Sequence, residues 1–412
     1  MTAPGSPAAE ADPRATQAGF KPIWLDALNF LLADVRGALG PYLNVFLVTE
    51  QHWSQSEVGV MTTVSGLVGL AAQTPAGAAI DATNAKRAVV VVALAGLAAG
   101  ALVIFALPTF WPVMLANSAL AIVGDVFGPA VAALTLGLYL KRALPNRMGR
   151  NAAFDHIGNV AIAVAAGAVG WAFGQRAVFL LVPVFAAVSV VSTLAIPAAA
   201  IDHDRARGAA EGDDDGKGFG VLLTNRSLIA FAVCLGLFHF ANAPLLPLVG
   251  QKIAVAHKEW ASAAMSACIV AAQMVMLPVA LVTGRKAGQW GRRPILLAGF
   301  AILPVRAALY TLSDNAVWLV FIQLMDGIGA GVLSVLTPLV VADLMRGAGR
   351  YNLALGAATT AQGVGASLSG LATGVIVDRF GFSAAFWECG LAALVALAVL
   401  WALVPESTPS DS

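Results

Sequence analysis

The chain has 412 residues, of which 59% are hydrophobic and only 11% are charged, and its formal net charge is +1. A soluble domain of this size would need many more polar and charged residues to cover its exterior, so the composition excludes a soluble globular protein. The near-neutral charge gives no sign of a nucleic-acid partner. The composition therefore predicts a polytopic membrane protein.

The apolar segments predict membrane-spanning helices. Backbone polar groups have no water to bond inside lipid, so a span must be a helix or a strand of a closed barrel. Barrel strands alternate apolar and polar residues, whereas residues 88–107 and 391–404 are continuously apolar. A helix needs roughly 20 mostly apolar residues to cross the hydrocarbon core. The predicted spans 1 to 12 cover residues 23–48, 57–80, 88–107, 111–140, 151–174, 177–200, 228–250, 259–283, 294–312, 316–343, 352–377 and 383–404.

Polar segments divide the chain. Residues 1–20 are rich in Ala, Pro and Gly and lack the apolar centre of a signal peptide, which predicts a disordered tail. Residues 202–217 form the longest charged stretch, typical of a flexible linker, although an acidic run can also bind a cation or a partner. The predicted organisation is a cytoplasmic tail (1–22), a six-helix bundle (23–200), a cytoplasmic linker (201–227), a second six-helix bundle (228–404) and a cytoplasmic tail (405–412).

The basic residues predict the orientation in the membrane. Cytoplasmic loops carry the excess of Lys and Arg. If the N-terminus is cytoplasmic, the loops on the other side hold only Arg176, Lys252, Lys258 and Arg379. We therefore expect a multi-pass protein of the cell (inner) membrane with both termini in the cytoplasm.

The two halves resemble each other as repeats. Asp125 and Asp326 lie at matching depths in spans 4 and 10, and Pro41 and Pro244 lie at similar places in spans 1 and 7. The loops after spans 4 and 10 both contain a Gly-Arg pair. Two parallel six-helix repeats are typical of a transporter in which one half rocks against the other around a central site.

A loop motif adds a resemblance to a known family. Residues 284–293, GRKAGQWGRR, resemble the signature Gly-x-x-x-Asp-Arg-x-Gly-Arg-Arg of the major facilitator superfamily, although Gly288 stands where the family has aspartate. Residues 77–81 with the following basic pair are similar to the copy between helices 2 and 3, and residues 326–331, DGIGAG, are similar to the family's glycine-rich helix 4. The resemblance implies that these loops latch the outward-facing state. The implied gating residues are Gly77, Asp81, Lys86, Arg87, Gly284, Gly291, Arg292 and Arg293.

Charged residues inside the membrane are the main functional signal. A charge at the bilayer centre costs at least about 2.5–3.5 kcal/mol and normally faces a cavity or a partner. The resemblance implies that spans 1, 4, 7 and 10 line a central cavity. Asp34, Arg36, Asp125, His239 and Asp326 all fall on these four spans.

Their chemistry predicts separate roles. A carboxylate can be neutralised by a proton, which burial favours, so Asp34, Asp125 and Asp326 are the predicted proton-coupling residues. Arg36 keeps its charge and is a candidate partner of Asp125. The alternative is a set of static salt bridges between helices.

Other polar side chains at membrane depth complete the predicted site. Arg36 and His239 are expected to anchor substrate, although His239 is as readily interpreted as a hydrogen-bonded core residue. Arg306 and Glu388 lie on spans expected outside the cavity and are interpreted as a structural pair, or as bonded to other local partners. The polar groups alternatively join helices. The predicted substrate-binding residues are Asn29, Arg36, Tyr42, Phe238, His239, Asn242 and Gln323.

These patterns predict a transporter rather than an enzyme. No Walker-type loop or metal-ligand spacing is present, and Cys234, Cys268 and Cys389 are interpreted as small buried hydrophobes. We expect a monomeric secondary active transporter without cofactors, whose partners are a small-molecule substrate, protons and membrane lipids. Proton-coupled export of a small organic solute is the first hypothesis. Uptake of an anionic solute and translocation of a lipid or amphiphile are the alternatives.

Overall fold

The computed structural model describes residues 20–33, 39–140, 143–202, 225–345 and 351–407. Residues 1–19 of the predicted tail, residues 203–224 of the predicted linker, and both Asp34 and Arg36 lie outside these ranges. The described part is helical throughout. Its α-helices are α1 (Pro22–Leu32), α2 (Leu39–Thr49), α3 (Gln55–Ala82), α4 (Lys86–Ala106), α5 (Phe110–Leu138), α6 (Leu144–Phe173), α7 (Leu181–Leu194), α8 (Arg226–Asn242), α9 (Leu245–Ala256), α10 (Ala261–Trp290), α11 (Arg292–Leu309), α12 (Ala316–Leu344), α13 (Tyr351–Phe380) and α14 (Phe382–Leu403).

Length and composition confirm the helical membrane class. Within the described ranges, nine helical stretches are long and apolar enough to cross a membrane. The helix α11, which corresponds to predicted span 9, is not among them, because it carries three arginines in 18 residues.

Spans 1 and 7 each correspond to two of the described helices. Span 1 corresponds to α1 and α2, which end and begin at Leu32 and Leu39. Span 7 corresponds to α8 and α9, separated by a turn at Ala243 and Pro244. The helix predicted over residues 228–250 is therefore interrupted by a turn, because proline has no N–H to continue the hydrogen bonding of α8. The whole stretch Arg226–Ala256 is still one of the nine described stretches that are long and apolar enough to cross a membrane.

Each half of the chain packs around its own apolar core. In the first half (residues 20–202), the largest buried cluster includes Leu28, Leu94 and Phe127. In the second half (residues 225–407), the largest buried cluster includes Phe231 and Phe300. Phe20, which the prediction assigned to the tail, is buried in the first of these cores and contacts Tyr139.

Among the described residues, the halves meet mainly through three pairs of helices. The helix α3 packs along α13, α6 along α10, and α2 against α9. Where α3 begins, a Cβ on Gly59 would overlap the Gly370 carbonyl, and a Cβ on Gly374 would overlap the Gln55 carbonyl. Small residues let helices in membranes approach this closely. We call this end of the structure, where α3 begins and α13 ends, the Gln55 end.

A carboxylate of one half binds the first turn of a helix of the other half. Asp378, at the end of α13, accepts hydrogen bonds from the backbone N–H groups of Gln55 (3.0 Å) and Ser56 (2.7 Å). The positive end of the α3 dipole favours a negative charge there. Deeper in the same interface, Thr63 Oγ1 donates to the Ser367 carbonyl at 2.6 Å. Polar contacts therefore join the halves at the Gln55 end.

We predict that Asp378→Asn makes the halves separate more often at the Gln55 end, because asparagine removes the charge at the start of α3. The expected change is about 2- to 30-fold, equivalent to about 0.5–2 kcal/mol for a helix cap. The measurement is the alkylation rate of a cysteine introduced at Thr62, a residue that packs against Gly370.

Glu57→Gln is the matched control. Glu57 accepts from the Ser54 N–H at 2.8 Å, a capping contact within the first half. Its loss weakens the start of α3 without removing a contact between the halves. An equal rise in alkylation for both variants would contradict the prediction.

Candidate solute site

A cavity of about 410 Å³ opens between α8, α12 and α13 in the second half. Its volume lies within the range of small-molecule sites, about 300–1,000 Å³. The hydroxyl oxygen of Thr337 is buried on its wall without a hydrogen-bond partner. The cavity is lined by Phe238, His239, Asn242, Ala330, Leu333, Ser334, Thr337, Pro338, Leu355, Thr359 and Gln362.

The contacts of His239 define which ring nitrogen is available to a ligand. Its Nδ1 lies 2.9 Å from the Leu235 carbonyl oxygen, one turn earlier on α8. A carbonyl oxygen only accepts, so Nδ1 carries the proton, and Nε2 of the neutral ring is left as an acceptor. The side chain is half-buried on the cavity wall.

Phe238 belongs mainly to the core behind the cavity. It is buried, and its ring lies 4.7 Å from the ring of Phe300, measured between centroids. It also borders the cavity, so it offers an apolar edge beside His239.

A buried ionic network stands behind the same wall. Arg306, which is 2% exposed, pairs with Asp326 and donates through a terminal nitrogen to Asn242 Oδ1 at 2.6 Å. Gln323 Nε2 donates to Asp326 Oδ2 at 3.2 Å and its Oε1 accepts from Tyr310. The network connects α8, α11 and α12. Because Asn242 also lines the cavity, the charge pair lies one side chain away from it.

This pairing corrects the interpretation of Arg306 and Glu388 as partners of each other. Of the two alternatives, Arg306 has another local partner, Asp326, and the described contact of Glu388 is with Cys389 Sγ at 3.5 Å. Asp326, a predicted proton-coupling residue, and Gln323, a predicted substrate-binding residue, both belong to this network.

The first half contributes a smaller cavity of about 240 Å³ between α1, α5 and α6. Asn29 lines it, and its amide nitrogen donates to the Leu25 carbonyl at 2.7 Å. Asp155 also lines it, and the neighbouring His156 contacts Gln273 of α10 at 3.1 Å. Asn29 therefore lies on a different cavity from His239 and Asn242.

Two other predicted residues lie in packed positions. Tyr42 is buried, and its hydroxyl contacts Ser266 Oγ at 2.7 Å and the Ala163 carbonyl at 3.3 Å, so it joins the two halves. The carboxylate of Asp125 is half-buried beside Gly69 of α3. Asp34 and Arg36, the first expected coupling residue and anchor, are outside the described residues.

A charge cluster that the sequence analysis did not identify ties α1 to α6. The buried carboxylate of Asp26 accepts two bonds from Arg150, at 3.0 and 2.7 Å, and lies 2.7 Å from Arg147. Both arginines lie between predicted spans 4 and 5, in what was expected to be a cytoplasmic loop. In the structure, α6 begins at Leu144 and carries them in its first turns. The sign of this cluster in the sequence was the Gly-Arg pair that recurs after spans 4 and 10, because Arg150 belongs to that pair.

The predicted gating loop of the second half is anchored within that half. The N–H groups of Arg292 and Arg293 donate to the carboxylate of Glu406 at 3.0 and 3.2 Å, and Arg292 Nε lies 2.5 Å from Asp343. Gly291 has a φ of +82°, which only glycine adopts without strain. Glu406 was assigned to the C-terminal tail, and here it caps α11.

The other predicted gating residues have fewer described contacts. Lys86 is buried and donates to the Ile80 carbonyl at 2.5 Å, which closes the end of α3. Arg87 is half-buried, and Gly284 has ordinary space around it, since a Cβ added there would lie 4.0 Å from the nearest side-chain atom. Gly77 lies within α3 and Asp81 lies near its end. The surroundings of Gly77 and the side chain of Asp81 are outside the described part of the structure.

Comparison with known proteins relates this chain to membrane transporters. The model of the Major Facilitator Superfamily matches residues 25–351 and 228–412. Two proteins of Mycobacterium tuberculosis, the uncharacterized MFS-type transporters MT2531 (strain CDC 1551 / Oshkosh) and Rv2456c (strain ATCC 25618 / H37Rv), are each 46% identical over 94% of both chains.

Solved structures share the fold. An aspartate-to-alanine mutant of the nucleoside transporter NupG has a TM-score of 0.78 at 14% identity, over 93% of this chain and 99% of that chain. NupG itself gives 0.73 at 13% identity, over 92% and 98%. At this identity the likeness concerns the arrangement of the helices.

We predict that Arg306 and Asp326 are energetically coupled and that Arg306 and Glu388 are not. Asp326→Asn leaves a buried guanidinium without its counter-charge, which costs about 3–5 kcal/mol of the free energy of unfolding. In a double-mutant cycle, Arg306→Met with Asp326→Asn should depart from additivity by about 0.5–3 kcal/mol. The measurement is denaturant unfolding in detergent.

The matched cycle combines Arg306→Met with Glu388→Gln. These effects should add to within about 0.5 kcal/mol, as for sites without a shared partner. Additivity in the first cycle together with coupling in the second would show that the pairing is wrong.

Proposed function

The chain belongs to the Major Facilitator Superfamily, whose members transport solutes across membranes, and we propose that it exports a small neutral organic solute in exchange for protons. The observation that carries the proposal is the 410 Å³ cavity, whose wall combines His239, Asn242 and Thr337 with apolar side chains. It works as a monomer in the cell (inner) membrane, with both termini in the cytoplasm.

The packing of the halves supports alternating access. Separate cores and the glycine-lined contact between α3 and α13 favour twelve spans arranged as two six-helix bundles. With the N-terminus in the cytoplasm, the Gln55 end faces outward. The contacts of Asp378 and Thr63 then hold the outer end closed, and the solute reaches its site from the cytoplasm. Separation of these contacts opens the outward path.

The lining of the solute site favours a neutral substrate. Among its described residues the polar groups are hydroxyls, amides and one imidazole, with no carboxylate, ammonium or guanidinium. A charged solute would lose its hydration there without gaining a counter-charge. A molecule with several donors and acceptors and one apolar face matches the wall formed by Gln362, Asn242 and Phe238.

The network behind the wall offers a route for proton coupling. Asp326 shares Arg306 with Asn242, and Asn242 lines the cavity. A proton on Asp326 removes the negative charge that faces Arg306. This changes the hydrogen bond that the Arg306 guanidinium donates to Asn242. Proton binding and solute binding then act on one side chain. Asp34 and Asp125 are the other proposed coupling residues.

A second candidate is uptake of a nucleoside-like solute together with protons. The likeness to the nucleoside transporter NupG in fold, and the neutral wall of the cavity, favour it over uptake of an anion. The two candidates share the site and differ in the direction of proton movement.

We predict that inside-out membrane vesicles containing the protein accumulate a labelled neutral solute when a pH gradient is imposed. A panel that includes uridine is the probe. Accumulation that requires an acidic interior indicates export by exchange with protons, and accumulation that requires an acidic exterior indicates the uptake candidate. His239→Leu should lose transport, because it removes the acceptor nitrogen from the cavity wall.

Vesicles without the protein are the control for leakage. A normal unfolding temperature shows that the protein in the assay is folded. If such protein exchanges none of the neutral solutes in either gradient, the transporter proposal is overturned for this class of substrate.

We predict that Asp34→Asn abolishes proton-driven transport and leaves the protein folded, because asparagine cannot take up the proton. Counterflow without a pH gradient should persist in this variant, since that exchange needs no net proton movement. The measurement is transport with and without the gradient. A normal pH dependence of the flux in the variant would show that Asp34 does not couple protons.

A further inference from the structure

A second cavity, of about 260 Å³, lies between the two halves at the Gln55 end. The first half contributes residues of α2 and α3, and the second half contributes residues 243–251 and part of α13. It shares no lining residue with the solute site, so it is a separate space. We call it the interface cavity.

Two buried acceptors line the interface cavity, one from each half. Asn44 on α2 is 8% exposed and Gln251 on α9 is 2% exposed. The side-chain oxygens of both, Asn44 Oδ1 and Gln251 Oε1, have no hydrogen-bond partner. A buried acceptor without a donor is costly, whereas a guest molecule that donates to it removes that cost.

The hydroxyl groups around the cavity are also arranged as acceptors. Thr62 donates to the Val58 carbonyl at 3.0 Å, Ser369 to the Ala366 carbonyl at 2.7 Å, and Thr373 to the Ser369 carbonyl at 2.7 Å. Each hydroxyl has one proton, so the oxygens that remain can only accept. The wall therefore selects a guest that is rich in donors.

The two prolines that the sequence repeats lie on the wall of the interface cavity. Pro41 and Pro244 both line it, Pro41 in the first turn of α2 and Pro244 at the turn between α8 and α9. Transporters commonly build binding sites from helices that are interrupted at corresponding places in the two halves. The turn of span 7 at Pro244 is such an interruption, and it lies on the wall of this cavity.

The charge and volume of the cavity define its guest. None of the described residues that line it is charged, which disfavours an ion. A volume of about 260 Å³ is below the usual range for drug-sized ligands, about 300–1,000 Å³. These limits match a neutral polyhydroxyl molecule about the size of a pentose.

We propose that the interface cavity is a binding site for a small neutral polyol, held by Asn44 and Gln251 from opposite halves. Because both halves build the site, the polyol binds only while they are together at the Gln55 end. Binding therefore stabilises this conformation through linkage. The site differs from the solute site and does not require that the transported solute is a polyol.

The test uses the purified full-length protein in detergent with D-ribose as the probe. We expect a saturable rise in the unfolding temperature with ribose and no saturable rise with ribonate, its carboxylate analogue. In the double variant Asn44→Leu, Gln251→Leu, the ribose concentration for half-saturation should rise at least about tenfold, because two charge-neutral hydrogen bonds are lost. Its unfolding temperature without ribose should not fall, because the unpartnered acceptors are gone.

Thr337→Val, in the solute site, is the matched control and should keep the full response to ribose. The single variants Asn44→Leu and Gln251→Leu give the same test if the double variant does not fold. A missing saturable shift in the wild-type protein, an unchanged response in the leucine variants, or a response lost only in Thr337→Val would each overturn the proposal. Since binding is measured without transport, failure of the proposed export leaves this result standing.

Discussion

Arg306 of α11 sets the constraint on which the second half depends. A guanidinium cannot be neutralised by losing its proton, so at membrane depth it needs a carboxylate within reach. Arg306 finds it in Asp326, and its second terminal nitrogen donates to Asn242. Three helices, α8, α11 and α12, are thereby held in register around one charge. The same contact places a charge pair directly behind a wall of the candidate solute site, so structural pairing and the proposed coupling to solute share their residues.

The contact between the halves has a different physical basis. Each half has an apolar core of its own, and between the halves lie glycines, hydroxyls and the carboxylate of Asp378 on the first turn of α3. Lipid is as apolar as a leucine side chain, so the hydrophobic effect does not hold membrane helices together, and close packing with a few polar bonds does. The contacts at the Gln55 end can be broken and remade without exposing either of these two cores, while a smaller apolar cluster, which includes Tyr42, Val45 and Met265, is shared by both halves. That property suits a member of a transporter family in which two halves move relative to each other.

The two cavities differ in the chemistry of their walls. The solute site offers both acceptors and apolar surface, with the imidazole of His239 fixed by a backbone carbonyl. The interface cavity offers oxygens whose own protons are already donated to the helix backbone, and it exists only where both halves contribute. A small ligand in the second cavity would therefore act on the equilibrium between conformations, while a ligand in the first is the one that the proposed transport would carry.

The sequence by itself determined the membrane class, the position of most helices and the family, because apolar length and the loop motif are local properties of the chain. Through the family resemblance it also implied that the spans carrying His239, Asn242 and Asp326 line one cavity. The partner of Arg306, the turn within span 7, the cluster around Asp26 and the assignment of Asn29 and Tyr42 to other surroundings were decided by tertiary structure. These depend on the rotation and depth of one helix against another, and a shift of a single residue turns a helical side chain by about 100°. The pattern of residues along one helix does not specify how that helix is rotated, or how deep it lies, against its neighbour.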